Sequence, residues 1–356
     1  MTKKHKSHLN KDHKHLFTDH DDDTARLIND RANHLYQKLA VLDTSDSGID
    51  EMGRNYFNSH HGGSRLFFSV QSSADIIYQS VKKTNRPIAG LTFIDYGAGL
   101  GTLFLLAGMV GFKKVYFNDY FPQWAVYARI IADKLGIRID DYISGDIDAV
   151  IEYGRSNQIH FDIIASRNVV EHIYRLRDFY AKLYNSGIAD ICFATTTANF
   201  HNPAMRLKHY WLHHKVERST YKNQRELFIR ELVSDIQKKD LDAVVKLTRG
   251  MAFEDLTNAV GLYFKGEPIP PVEFLRTNTC DCRTGVWAEN LLTRKNYVAI
   301  IEQAGFKATY TAGFWDTHYK YPVVNLITGL LNRLIKLSGK KGYWFAPFVN
   351  ITAVKK

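Results

Sequence analysis

The sequence predicts an α/β fold: a doubly wound, mostly parallel sheet that carries a helical insertion. Short apolar, β-prone runs at residues 91–96, 114–118, 141–144, 161–166 and 188–195 alternate with helical stretches, the pattern of a parallel sheet covered on both faces. The first run leads straight into three closely spaced glycines, Gly97, Gly99 and Gly101, and then into a helical segment, LFLLAGMVG. The rhythm stops near residue 200 and resumes near 290, which marks the insertion. With 356 residues, 45% of them apolar and 24% charged, the chain has the composition of a globular protein with a sizeable core.

Taken in order, residues 1–23 are rich in His, Lys and Asp with little apolar periodicity, and a mobile tail is expected there. Its histidines, His5, His8, His13, His15 and His20, lack the fixed spacing of a metal site. Residues 24–90 are expected to supply N-terminal helices. Leu27, Ile28, Leu35, Leu39 and Leu42 share one helical face, 43–53 is turn-rich, and a second helix covers 65–83 before Pro87. Residues 91–199 form the first part of the binding α/β domain, and 200–289 a helical lid in which Tyr210, Trp211, Tyr221 and Phe228 interleave with Arg206, Lys208, Lys215 and Arg225. Residues 290–356 complete the α/β domain with a helix at 294–304, a strand at 306–314, a helix at 322–337 and a strand at 343–354. The apolar residues of the 322–337 helix are expected to pack onto the sheet, with a peripheral membrane contact as the alternative. No internal repeat is visible.

Lys and Arg number 47 against 37 Asp and Glu, a formal charge of +10. After Asp316 there is no acidic residue, while Lys320, Arg333, Lys336, Lys340, Lys341, Lys355 and Lys356 follow. A basic surface of this kind suits nucleic acid, an anionic membrane or an acidic ligand, and is also what a solvated face looks like. The longest apolar stretch, 103–112, is roughly half of what a spanning helix needs. The polar N-terminus lacks the apolar region of a secretory signal, and three cysteines are too few for a disulfide framework. A reduced, cytoplasmic protein is expected.

Glycines between a strand and a helix let a ligand approach the backbone, and the amides at the helix start favour electron-rich groups. The spacing is not the nicotinamide fingerprint G-x-G-x-x-G, because the third glycine arrives one residue early and Thr102 follows it. Asp95, two residues before Gly97, would repel a pyrophosphate and suits a cationic ligand. Asp119 ends the second strand, where a carboxylate can accept from the vicinal hydroxyls of a ribose; Asp146, after the third, is placed to accept from an adenine amino group. This run resembles the class I S-adenosylmethionine-dependent methyltransferases, whose first motif, acid-x-Gly-x-Gly-x-Gly, is matched by Asp95, Gly97, Gly99 and Gly101. Their second-strand and third-motif acids are matched by Asp119 and Asp146. The segment Asn168-Val169-Val170-Glu171-His172 and residues 291–306 are similar to parts of the ubiquinone-type O-methyltransferase subgroup. The resemblance covers most of 56–198 and 287–355 but not the insertion. It implies a Rossmann-like fold of the class I methyltransferase type and S-adenosyl-L-methionine as cofactor. The cofactor residues it implies are Arg65, Asp95, Gly97, Gly99, Gly101, Asp119, Tyr120, Asp146, Ile147 and Asn168, with Arg65 as the candidate for the cofactor's carboxylate.

Methyl transfer from a sulfonium needs a positioned nucleophile and, for a protonated hydroxyl or amine, a base. His172 is the candidate base and Glu171 its orienting partner. The ubiquinone-type relatives hold a divalent metal with Glu-x-x-Glu-His; here Asn168 stands in the first Glu position, and no metal is expected. His209 and His213 share a helix face but lack the Glu of H-E-x-x-H, so a solvated or stacking role is expected. Cys280 and Cys282 read as buried thiols. The expected activity is methylation of an oxygen on a small-molecule, glycan or lipid-linked acceptor, chosen by the insertion. Three alternatives share the fold or the pocket. An RNA methyltransferase would explain the charge, but the N/D-P-P-Y/F signature is absent after the fourth strand, which disfavours nucleic acid. The others are a nicotinamide-dependent oxidoreductase and a non-catalytic module that keeps the pocket. The oligomeric state is not readable from the sequence.

Overall fold

The structure is a computed structural model that describes residues 15–45, 48–63, 65–270 and 275–355. Among the described residues three helices come first: α1 (Asp23–Ala40), α2 (Glu51–His61) and α3 (Arg65–Thr84). Asp22 and Asp50 cap the first two, accepting from the backbone N–H of Ala25 and Gly53. The alternating part follows as β1 (Thr92–Tyr96), α4 (Leu103–Val110), β2 (Lys114–Asp119), α5 (Pro122–Leu135), β3 (Asp141–Ser144), α6 (Ile147–Ser156), β4 (Phe161–Arg167), α7 (Leu176–Ser186) and β5 (Ala189–Thr196). Four helices make the insertion: α8 (Pro203–Val216), α9 (Lys222–Leu232), α10 (Lys238–Leu247) and α11 (Phe253–Lys265). The chain closes with α12 (Arg294–Gln303), β6 (Lys307–Ala312), α13 (Pro322–Leu337) and β7 (Val349–Val354).

The seven strands form one sheet in the order β3-β2-β1-β4-β5-β7-β6, parallel except for β7, which runs antiparallel to both its neighbours. Side chains alternate between the two faces of each strand, so each strand feeds two cores. Phe93, Phe117, Ile163 and Phe193 pack on one side with α1 to α5; Ile94, Tyr116, Ile164 and Ala194 pack on the other with α6, α7 and α12. This is the doubly wound architecture expected from the sequence. The insertion has a small core of its own around Ile229, Leu241, Val244 and Leu256. An ion pair with a buried arginine braces it: Arg225 donates to Glu217 and to the Val245 carbonyl, and Glu217 also accepts from Thr279.

Several elements differ from their sequence expectations. Residues 15–22, placed in the mobile tail, are held in place. Phe17 stacks on Phe67 at 4.7 Å, and Asn29 and Asn33 bind the backbone of His15, Phe17 and Thr18. His5, His8 and His13 lie outside the described residues. The stretch read as turns becomes α2 at Glu51; few apolar residues announce this helix, which buries chiefly Phe57 and His61. The last strand begins at Val349 rather than 343, because Gly339–Trp344 winds into a 3₁₀ turn and Pro347 has no N–H to offer a ladder. Finally, the apolar stripe of α13 does not pack on the sheet: Leu326, Leu330, Leu334 and Leu337 are exposed.

Candidate functional site

Open α/β sheets bind ligands beyond the carboxyl ends of their strands, at the point where strand order reverses. Here that point lies between β1 and β4, and a cavity of about 760 Å³ opens above it. The glycine turn forms its floor. Gly97 and Gly99 have φ of +66° and +52°, a region that costs a side chain strain, and a Cβ on Gly97 would come within 2.7 Å of Val169. One on Gly99 would meet the Tyr56 hydroxyl at 2.9 Å, so the backbone is bare by necessity. Asp119, ending β2, accepts from Gly99 N–H at 2.8 Å and from Phe121 N–H at 3.1 Å, which ties the turn to the neighbouring strand. Burial raises its pKa, and those two N–H groups partly offset the rise. Asn118 donates across to the Ile143 and Gly145 carbonyls, so the ends of β1, β2 and β3 form one braced row.

Asp95 is 2% exposed and accepts from Phe104 N–H at 2.9 Å. Burial pushes its carboxyl up to about 8, opposed chiefly by the positive charge of Arg167. Arg167 ends β4 and lines the same cavity; its Nη1 donates to the Ser69 carbonyl and to the Ser69 and Ser72 hydroxyls at 2.9–3.1 Å. Sequence reasoning missed it, although an Arg closing a buried strand (FDIIASR) beside the expected Asn168 was the signal available. Arg65, the expected carboxylate partner, also lines the cavity but is exposed and donates to the Ser59 carbonyl of α2 at 2.8 Å. Half-buried, braced by Ser69 and Ser72 and the chief charge acting on Asp95, Arg167 is the better-placed cation.

The other expected residues divide. Asp95, Gly97, Gly101, Asn168 and His172 line the cavity with Arg65. Gly99 and Asp119 sit directly behind its floor. Asp146 caps α6, accepting from Asp148 and Ala149 N–H; it and the buried Ile147 stand at the end of the row, outside the cavity wall. Tyr120 is 64% exposed and also outside it. Asn168, at φ +57°, accepts from Thr197 N–H at 3.2 Å.

Across the cavity from the glycines, His172 donates from Nδ1 to the Trp287 carbonyl at 2.8 Å, which leaves Nε2 as the lone-pair nitrogen. Glu171 is fully buried behind it and does not line the cavity; neither carboxylate oxygen has a hydrogen-bond partner among the described residues. Burial and then Glu289 push its carboxyl up to about 7. Glu289, contributed from the end of the insertion and missed by sequence reasoning, lines the cavity. Ligand atoms of Glu171, His172 and Glu289 all lie within 4.8 Å of one another, a donor set that could hold a divalent cation without residue 168. A second cluster, His160, Asp162 and Asp190, lies at the opposite strand ends and is already engaged, by Arg86 and Thr92 on Asp162 and by a His160–Asp190 pair.

His209 and His213 are buried rather than solvated. Their Nε2 atoms reach the Thr197 and Glu289 carbonyls at 2.9 and 2.7 Å, and burial lowers both pKa values, that of His213 to about 4. They pin α8 over the ends of β4 and β5, which brings Lys208 into the cavity wall. All three cysteines are buried free thiols.

No family model and no curated protein matches the chain. Among solved structures it is similar to magnesium protoporphyrin IX methyltransferase from Synechocystis with bound SAH, at 12% identity over 86% of this chain and 96% of that one, with a TM-score of 0.42. It is also similar to an S-adenosylmethionine-dependent methyltransferase from Mesorhizobium loti, at 13% identity over 79% of this chain and 98% of that one, with a TM-score of 0.38. Likeness this distant carries no argument about activity.

Proposed function

We propose that the chain is an S-adenosylmethionine-dependent methyltransferase acting on an oxygen of a small-molecule, glycan or lipid-linked acceptor. The observation that carries this reading is that Asp95 and the half-buried Arg167 line one cavity beside a side-chain-free glycine turn. A zwitterionic amino-acid end fits between that carboxylate and that guanidinium, and a nucleoside fits along the row that leads to Asp119 and Asp146. The cofactor supplies an electrophilic methyl on sulfur. The chain's own residues do the rest: Arg167 and Asp95 fix the charged end, Asp119 holds the glycine turn and offers its remaining lone pairs to hydroxyls, and the cavity wall orients the acceptor. His172, its Nδ1 proton held by the Trp287 carbonyl, takes the acceptor proton on Nε2.

A second reading of the catalytic end is favoured by the two unpartnered oxygens of Glu171. Glu171, His172 and Glu289 would hold a divalent cation, which would supply polarisation of the acceptor hydroxyl in place of a free base. Calorimetry with S-adenosylhomocysteine, alongside NADH and the Asp119→Ala variant, tests the cofactor. Binding of the former alone, weakened in the variant, supports the proposal; preference for NADH sinks it. Activity that disappears with chelator and returns with added divalent cation selects the metal reading over the free histidine.

A further inference from the structure

Helix α13 is built the wrong way round for a surface helix of a globular protein. At 100° per residue, Val323, Leu326, Ile327, Leu330, Leu334 and Leu337 fall on a single arc about 100° wide. They are 68, 65, 53, 50, 44 and 84% exposed, while the opposite side buries only Thr328 and Ile335. Nothing among the described residues covers this stripe. Residues 1–14, outside the described residues, read MTKKHKSHLNKDHK, with Met1 and Leu9 as their only large apolar residues.

The charge around the stripe selects its occupant. Arg333 falls at the edge of the apolar arc, Lys320 precedes the helix, and Lys340 and Lys341 follow it; all are exposed. Lys336 is paired with Asp19, and beyond Asp316 the chain carries no acidic residue. Pairing two copies of this face would set basic groups against basic groups. A surface that is apolar beneath and anionic on top satisfies both features. The helix has 16 residues, about 24 Å, too short to cross a hydrocarbon core of roughly 30 Å, and no helix among the described residues is long and apolar enough to span a membrane.

The geometry points to α13 as an interfacial anchor that lies in the plane of an anionic lipid bilayer. Two asparagines on the helix tie it to the cavity. Asn325 clasps Tyr319, accepting from its N–H at 2.7 Å and donating to its carbonyl at 2.9 Å; Asn332 clasps Trp315 in the same way at 2.7 and 2.9 Å. The loop held by these clasps contributes Asp316 and Tyr319 to the cavity wall. Docking the helix therefore holds that wall about one helix diameter from the bilayer, on the side of α13 away from the lipid. This last step rests on the methyl-transfer reading, under which the acceptor is an amphiphile resident in the membrane; the docking itself does not.

The test is co-sedimentation of the full chain with vesicles of phosphatidylcholine, with and without phosphatidylglycerol, for wild type, Leu326→Ser/Leu330→Ser/Leu334→Ser and Arg333→Ser. All substituted side chains are solvent-facing, and circular dichroism melting together with S-adenosylhomocysteine calorimetry checks that fold and cavity persist. The expected result is salt-sensitive binding to the anionic vesicles, weakened about a hundredfold by the triple substitution and more modestly by Arg333→Ser. Three results would overturn the inference: no vesicle binding by wild type, equal binding by the triple variant, or a wild-type dimer in light scattering that the triple variant dissolves while vesicles bind neither. Wild type that binds S-adenosylhomocysteine but no vesicles would refute the anchor alone, and wild type that binds vesicles but no S-adenosylhomocysteine would refute the cofactor alone.

Discussion

Asp95 is the group on which affinity for a cationic cofactor should turn, and its burial sets the size of the effect. Burial pushes its carboxyl up to about 8 from the usual 3.8. At pH 6 nearly all molecules hold a proton on Asp95; an ammonium seated beside it restores the charged form, so binding must expel that proton. Each pH unit below the free value then costs about 1.4 kcal/mol. With the bound value returned close to 3.8, affinity for S-adenosylhomocysteine should rise on the order of fiftyfold from pH 6 to pH 8 and level off above. Calorimetry across that range measures it directly. His60, His61 and His172 also line the cavity, so the decisive comparison is Asp95→Asn, whose carbonyl can still accept from Phe104 N–H but which carries no charge at any pH. The variant should bind with a flat profile. A flat wild-type profile, or the same slope in the variant, would refute the reasoning. The sign for the unliganded protein is the opposite. The folded state holds a proton that the unfolded chain releases above its ordinary carboxyl pKa, so this contribution to stability is complete below about pH 4 and is lost as pH rises toward 8.

Three further outcomes are expected. Arg167→Met should weaken S-adenosylhomocysteine by about 2–3 kcal/mol, the scale of hydrogen bonds to a charged group, whereas Arg65→Ala, already engaged with Ser59, should change it by less than about 0.5 kcal/mol; calorimetry showing the reverse ranking would return the carboxylate to Arg65. His172→Asn should lower single-turnover methyl transfer by roughly 10²–10⁴ without altering cofactor affinity, and an unchanged rate would remove it from the chemistry. Arg225→Met leaves Glu217, whose side chain is only 12% exposed, without its cation and should destabilise the insertion by up to about 3 kcal/mol in urea denaturation, with much of the loss recovered when Glu217→Gln is added.

What could be read in advance follows a rule of locality. Asp95, the glycines, Asp119 and Asp146 all stand at or within a few residues of a strand's carboxyl end, and strand ends announce themselves through apolar runs that stop. Their arrangement in one row needed only the inference that the sheet is parallel. Arg167 obeys the same rule and was legible but unread. Glu289 does not: it meets Glu171 and His172 only because α8, pinned by His209 and His213, carries the insertion back over the sheet, and no spacing in the chain encodes that return. The tautomer of His172 is likewise decided by a carbonyl from residue 287.

The sheet, its two cores and the row of acidic and glycine residues at its strand ends could thus be read from the sequence, because alternation of side chains and abrupt ends of apolar runs are properties of consecutive residues. Which arginine exerts its charge on Asp95 was settled by folding, since Ser69 and Ser72 hold Arg167 in place. It also decided the direction of α13. Periodicity shows that a helix has an apolar face; whether that face meets the core, another surface or the solvent is settled by how the loop at 313–321 hangs the helix on its two asparagines, with the leucines turned outward.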